Sequence, residues 1–405
     1  MAITPVITGI GTINPLAGTA PETWQTLLTG TSGITTLQEE WVERFELPVT
    51  FAGQAAVDPA SVLPGPQVRK MDRSSQFAVI AAHEAYADAG SPEVDGERLG
   101  VVVASGIGGI RTILNAWDTL LTKGVRRVLP MTVPMLMPNS SAAQISVRYG
   151  AKAGAHAPTS ACASGAEAIA WAARMIRDGE ADVVIAGGTE AAIHPMPLAA
   201  FSRMQALSKR NDDPQAASRP YDVDRDGFVM GEGAGILIVE SEEHAAARGA
   251  RVYARLVGVG MSADAYDVAP PDPSGAGQER AMRLALEDAD LTGSDVVHIN
   301  AHATSTPTGD GIEAAAIGRV SRDAIVCGTK SMTGHLLGGA GALESIFSVL
   351  ALRDRLAPPT INLDNPEPDL PVRVTGRIPE EIGVGAVVNN AFGFGGHNVA
   401  LVFTD

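Results

Sequence analysis

The sequence predicts a layered α/β fold with mixed or parallel sheets, on three observations. Short β-branched runs alternate with longer segments of helical periodicity along the 405 residues. The 44 glycines are scattered through apolar segments and form no repeat, which is the composition of a compact chain. No low-complexity linker divides the chain, whose length suffices for one large core or two coupled ones.

Taken in order, Gln76 to Ala89 reads as a helix and Val101 to Ala104 as a buried strand. The uncharged run Val128 to Val147 is broken by Pro130, Pro134, Pro138, Asn139 and Ser140, which a membrane-spanning helix would not tolerate. Its Met131, Met135 and Met137 suit a core or an adaptable pocket wall. Ala155 to Pro158 is a short strand or loop, followed by a helix over Ser164 to Asp178 with apolar Ala166, Ile169, Ala170 and Ala173. Val183 to Ala186 and Ile236 to Val239 are buried strands. The charged stretch Glu240 to Arg251 then marks a seam, so residues 1–251 form one half and 252–405 another. The second half reads as a strand from Val252 to Gly258, a helix from Gln278 to Asp288, and a strand from Val296 to Ile299. A helix over Ala340 to Arg353, with a core stripe of Leu343, Ile346, Phe347 and Leu350, and a strand over Val384 to Val388 complete it. Asp182-Val183-Val184-Ile185 resembles Asp295-Val296-Val297-His298, but four residues are too few to argue duplication.

The formal charge of −16 argues against non-specific binding to nucleic acid or anionic membranes. The start of the chain, Met1-Ala2-Ile3-Thr4-Pro5, has no basic region and no long apolar stretch, and there are two cysteines; both point to a reducing, cytoplasmic setting. Gly9-Ile10-Gly11-Thr12-Ile13-Asn14 begins like a dinucleotide fingerprint but lacks the third glycine, so it is expected to be a turn. Asp222-Val223-Asp224-Arg225-Asp226-Gly227 begins like a calcium loop, yet its twelfth position is Gly233 and not Glu; an aspartate-rich turn is expected. His298, His302, His335 and His397 lack zinc-ligand spacing, and no metal or other cofactor is expected.

What remains is Cys162, in Thr159-Ser160-Ala161-Cys162-Ala163-Ser164-Gly165 at a helix start, where the positive helix end favours a thiolate. A free thiol has a pKa of about 8.5. A helix N-terminus worth up to ~2 kcal/mol, at ~1.4 kcal/mol per pKa unit, would bring it near ~7 with no dedicated base. Three glycine- and threonine-rich segments follow apolar strands: Asn300 to Asp310, Thr329 to Gly339 and Asn390 to Asn398. They carry His302, Lys330, His335 and Phe394.

On these segments the chain resembles the condensing enzymes of the thiolase superfamily, specifically the β-ketoacyl-acyl-carrier-protein synthase II family. The resemblance runs from Val6 to Gly396 and includes Ser105-Gly106-Ile107-Gly108-Gly109 and Arg219 to Phe228. Ala303, where the family usually has glycine, and His397, where it commonly has threonine, are departures. The resemblance implies a five-layered αβαβα thiolase fold of two duplicated halves, each with a mixed five-stranded sheet. It implies that Cys162 takes an acyl chain from acyl carrier protein, that malonyl-carrier protein is decarboxylated, and that the enolate attacks the thioester in fatty-acid elongation. His302 and His335 would hold the enolate oxygen, and the backbone N–H groups of Cys162 and Phe394 the tetrahedral oxyanion. Lys330 and Glu344 would form a supporting pair, and Phe394 would also gate the site. Ile107, Phe201, Phe228, Thr304 and Thr306 would line the acyl and phosphopantetheine path, the arm being carried by the substrate and not by a cofactor. The partners implied are acyl carrier protein, docking on Arg69, Lys70, Arg126 and Arg127, and a second copy in a homodimer. The solvated helix face Arg69, Lys70 and Arg73 is a further basic cluster. The main rival is the ketosynthase alpha subunit of a type II polyketide pathway. A degradative thiolase would carry a second catalytic cysteine where Phe394 stands, and a scaffold subunit would lack Cys162.

Overall fold

The computed structural model describes residues 3–405. Ten principal strands follow in chain order: β1 (Pro5–Ile13), β2 (Leu99–Ala104), β3 (Gly154–His156), β4 (Val183–Glu190), β5 (Gly233–Ser241), β6 (Ala254–Ala263), β7 (Val296–Asn300), β8 (Ile325–Cys327), β9 (Ala386–Gly393) and β10 (His397–Thr404). Six helices frame the architecture: α1 (Arg73–Asp88), α2 (Ile110–Lys123), α3 (Ser164–Arg177), α4 (Ala276–Asp288), α5 (Gly309–Val320) and α6 (Ala340–Asp354).

The strands divide into β3-β2-β4-β5-β1 and β8-β7-β9-β10-β6, the same order relative to the chain in each half. Parallel and antiparallel pairings also match: β2 is parallel to β3 and β4, as β7 is to β8 and β9, and the remaining pairs are antiparallel. The halves meet edge to edge where Val6 and Ile7 of β1 pair with Arg255 and Ala254 of β6. The short strand Arg373–Val374 extends the far edge beyond β8. Helices α3 and α6 pack on each other between the two sheets, α1 covers the outside of the first and α4 that of the second. These are the five layers of the thiolase fold.

The duplication is written in residues the sequence reading did not connect. Gly9-Ile10-Gly11 is neither turn nor cofactor loop; it lies inside β1. A Cβ on Gly9 or Gly11 would stand 2.2 Å from the carbonyl oxygens of Ala85 or Ala81 of α1. Gly258 and Gly260 of β6 meet Ala285 and Ala281 of α4 in the same way, at 2.0 and 1.9 Å. Glycine on the strand and alanine on the helix permit this close layer packing, which a side chain on either strand position would break. By contrast Val183 begins β4 and Val296 begins β7, strands that are not equivalent, so the likeness of those two segments is chance.

Helix α6 is buried on all sides from Ala340 to Leu352, because sheets lie on both of its faces; the stripe of four apolar residues understated this. The methionines of the proline-broken run are corrected: Met135 is buried, but Met131 and Met137, at the two ends of the short helix Thr132–Leu136, are 38% and 40% exposed. The last strand begins later than expected, since Val384 is 83% exposed and pairing starts only at Ala386. The aspartate-rich segment is a turn, as expected: Asp222 accepts hydrogen bonds from Arg219, Asp224, Asp364 and Asn365.

Candidate active site

The C-terminal ends of β7 and β9, the segment around His335 downstream of β8, and the turn ahead of α3 converge on one cavity of about 620 Å³. Cys162, 9% exposed, sits in the single-turn 3₁₀ segment Ala161–Ala163 ahead of α3. Ala161 holds φ 50°, a left-handed conformation that turns the chain sharply and sets the thiol facing the cavity. Ser164 Oγ accepts from the Ser160 N–H and donates to the Ala161 carbonyl, closing the turn. The β9–β10 hairpin approaches through Gly393, where a Cβ would lie 2.4 Å from the Ser160 carbonyl.

His302 follows β7, and His335 follows the short helix Lys330–Thr333. The Cys162 sulfur and one ring nitrogen of each histidine lie within 4.8 Å of one another. The two imidazoles are edge to face, centroids 5.3 Å apart, and Phe228 packs edge-on against His335 at 5.5 Å. Burial, reinforced by the nearby Lys330 charge, holds both histidines well below the ordinary imidazole range, so both are neutral at pH 7. Among the described residues, neither ring nitrogen of His335 has a hydrogen-bond partner, nor has Nδ1 of His302. Buried polar atoms left unpaired beside a cavity stand ready for a ligand.

Burial pushes the Cys162 thiol up to about 12, against the opposing pull of Lys330 and of the Phe394 and Cys162 N–H groups. Burial thus opposes the expectation that the helix end alone brings the thiol near neutrality, because desolvation disfavours the thiolate. Lys330 and Glu344, both essentially inaccessible, form a tight ion pair. Burial raises the Glu344 carboxyl to about 7, and Lys330 opposes that rise.

Ile107, Phe201, Phe228, Thr304, Thr306 and Phe394 all line the cavity. The Thr304 and Thr306 hydroxyls lie 3.2 Å apart, and Thr306 Oγ1 also accepts from the Gly309 N–H. Phe394 is 37% exposed at the hairpin tip, beside Gly395 and Gly396 with φ 85° and 71°. Ala303, at φ 26°, occupies the positive-φ region where the family's glycine would be unstrained. Arg69, Lys70, Arg126 and Arg127 are exposed and none lines the cavity. Arg73 is not free for a partner, because Glu232 and Asp58 hold it. His298 and His397 do not join the cluster: His298 Nδ1 lies 2.8 Å from the Ile325 carbonyl and its Nε2 lies 3.7 Å from Cys327.

Three acids escaped the sequence reading. Glu313 accepts the N–H groups of His302 and Ala303, both at 2.7 Å, and so fixes the histidine loop. Asp310 accepts from Ser305, Thr306 and Tyr221. Their spacing of three places both acids on one face of the first turns of α5, a signal present in the sequence. Glu190 accepts from Ser105 Oγ and from the N–H groups of Gly106 and Gly338, at 2.8, 2.8 and 3.2 Å. It ties the Ile107 loop of one half to the start of α6, and a lone acid closing an apolar strand was its clue.

Comparison with known proteins gives consistent results. The family described as Beta-ketoacyl synthase, N-terminal domain, matches residues 5–245, and its C-terminal domain matches residues 253–364. The chain is 43% identical over 402 residues to 3-oxoacyl-[acyl-carrier-protein] synthase 2 of Mycobacterium tuberculosis (strain ATCC 25618 / H37Rv), covering 98% of this chain and 96% of the relative. It is 43% identical over 406 residues to the protein of that name from Coxiella burnetii (strain RSA 493 / Nine Mile phase I), covering 98% of each. Among solved structures, a type II polyketide ketosynthase in complex with its acyl-carrier protein (AntDE:AntF) superposes with a TM-score of 0.92 at 31% identity, covering 100% of this chain and 99% of the other. The ishigamide ketosynthase/chain length factor does so at 0.92 and 33%, with the same coverage.

Proposed function

The chain belongs to the β-ketoacyl synthase family, and on that premise we propose that it is a 3-oxoacyl-[acyl-carrier-protein] synthase II, an acyltransferase that elongates fatty acids. The observation that carries this reading is the meeting of Cys162, His302 and His335 at one end of an apolar-walled cavity. In the first half-reaction the Cys162 sulfur attacks the acyl-carrier thioester. A new C–S bond forms, and the carrier thiol leaves. Because burial keeps the Cys162 proton on sulfur, a neutral imidazole beside it relays that proton to the departing thiol. In the second, malonyl-carrier protein loses carbon dioxide, and His302 and His335 donate to the enolate oxygen. The enolate carbon attacks the acyl thioester, with the N–H groups of Cys162 and Phe394 holding the oxyanion; removing one such donor costs roughly 3 kcal/mol. Collapse expels the sulfur, which regains its proton. The catalytic steps use no metal, since each requires a free thiol or a free imidazole.

Lys330 and Glu344 position the histidines electrostatically. Thr304 and Thr306 hold the pantetheine amides, Ile107 limits chain length, and Phe394 gates entry. Acyl carrier protein docks on Arg69, Lys70, Arg126 and Arg127, and two copies assemble as a homodimer in the cytoplasm. Among the described residues no helix is long and apolar enough to cross a membrane. The 43% identity to the 3-oxoacyl-[acyl-carrier-protein] synthases 2, against 31% to the type II polyketide ketosynthase and 33% to the ishigamide ketosynthase/chain length factor, supports elongation over the polyketide reading. The test is condensation with malonyl-carrier protein across acyl primers of increasing length, by the protein alone, with mass spectrometry of the acyl adduct. An adduct on Cys162 and a 3-oxoacyl product are expected. No adduct from intact substrate, or turnover only with a second, different subunit, would refute the proposal.

A further inference from the structure

The same three side chains that perform the condensation form a site for an ion. We propose that the resting enzyme binds one zinc ion through Cys162, His302 and His335, and that this ion is an inhibitor displaced by acylation. The sulfur and the two imidazole nitrogens already lie within 4.8 Å of one another. Tetrahedral zinc, with bonds of ~2.3 Å to sulfur and ~2.0 Å to nitrogen, needs these atoms about 3.5 Å apart. Closing that difference takes side-chain movement of about 1 Å, and among the described residues His302 Nδ1 and both ring nitrogens of His335 hold no hydrogen bond that it would break. A borderline-soft ion prefers this thiolate and imidazole set over the oxygen ligands that hold magnesium or calcium.

All three ligands line the cavity, which has room for a water as the fourth ligand of the tetrahedron. Lys330, the nearby cation, is paired with Glu344, which weakens its repulsion of the ion. Binding involves no redox step. The Cys162 S–H bond breaks, its proton goes to solvent, and sulfur and two ring nitrogens each donate a lone pair to the ion. An acyl chain on the sulfur removes the thiolate, leaving two imidazoles and no site. The second cysteine offers no equivalent: His298 Nε2 lies 3.7 Å from Cys327, and among the described residues the only cluster of three possible ligands is Cys162, His302 and His335.

The experiment has two arms. Cobalt(II), a spectroscopic stand-in for zinc, is titrated into the free protein. One equivalent is expected to raise a sulfur-to-cobalt charge-transfer band that competes away with zinc. Cys162→Ser abolishes the band, Cys327→Ser keeps it, and His302→Ala weakens cobalt binding by at least about tenfold. No band in the unsubstituted protein, or a band that survives Cys162→Ser, overturns the proposal. The second arm rests on the condensing activity proposed above: zinc, but not magnesium, blocks self-acylation reversibly by chelator, while protein acylated beforehand keeps malonyl decarboxylation at the same zinc concentration. Equal loss in both states overturns the proposed competition. Because the cobalt arm needs no turnover, failure of the ion site and failure of the activity reading are told apart.

Discussion

Two helix starts lie against each other at the centre of the molecule. The 3₁₀ turn Ala161–Ala163 leads into α3 and the 3₁₀ turn Leu337–Gly339 into α6. Their first residues hold φ 50° and 48°. Three residues beyond the middle of each turn stands a glycine, Gly165 in one and Gly341 in the other, and each lets its helix touch the other: a Cβ on Gly165 would be 2.9 Å from Ala342 N, and one on Gly341 2.9 Å from Ala166 N. The middle residues do different work. In the first turn it is Cys162, facing the cavity; in the second it is Gly338, where a Cβ would fall 2.2 Å from Gly106 N. One backbone device therefore serves two purposes. Where space is left in front of the turn it presents a nucleophile, and where the other half fills that space it seals a joint.

The comparison can be broken at several points. The largest effect is expected for Cys162→Gln, with condensation lost by at least about 10⁴-fold and malonyl decarboxylation retained, because the histidines do that work. Loss of both in a kinetic assay would show that the two tasks are not divided. Removing one partner of the buried pair, as in Glu344→Ala, leaves Lys330 uncompensated and should cost about 3–5 kcal/mol in denaturant unfolding. Gly338→Ala should cost about 1–3 kcal/mol, since backbone and not a flexible side chain would have to move; a neutral result would mean that the sealed turn has slack.

The pH dependence tests the open turn. With the thiol raised to about 12, the thiolate fraction grows tenfold per pH unit below that value. The iodoacetamide inactivation rate should therefore climb without a plateau from pH 7 to 10. A plateau near pH 7 would mean that the helix end wins over burial after all. The smallest effect is expected for Ala161→Gly, where about 1 kcal/mol of relieved left-handed strain is offset by a similar loss of chain stiffness. Unfolding free energy should change by less than about 0.5 kcal/mol.

How much was legible in the sequence follows from range. Cys162, His302, Lys330 and His335 stand in compact local motifs, and the structure brings them together. Glu190 stood out only as a lone acid closing an apolar strand; its role was not legible, because its partners come from residues 105, 106 and 338, far from it along the chain. Gly9 and Gly11 were misread for the same reason: the helix that needs them small starts some sixty residues later, at Arg73. The thiol's environment was misjudged because a helix end can be read from local sequence, whereas burial depends on the Gly393 hairpin folding over it from more than two hundred residues away.

The central layer has a consequence for how this chain reaches its final state. Helix α6 has no solvent face, and α3 shares its apolar packing with both sheets. A half made alone would leave one of these helices with an apolar side bare to water. Neither half is then an autonomous folding unit, and unfolding should proceed as one cooperative event despite the repeated strand order. During synthesis the first half must wait, incompletely covered and prone to aggregate, until the second arrives to close over it.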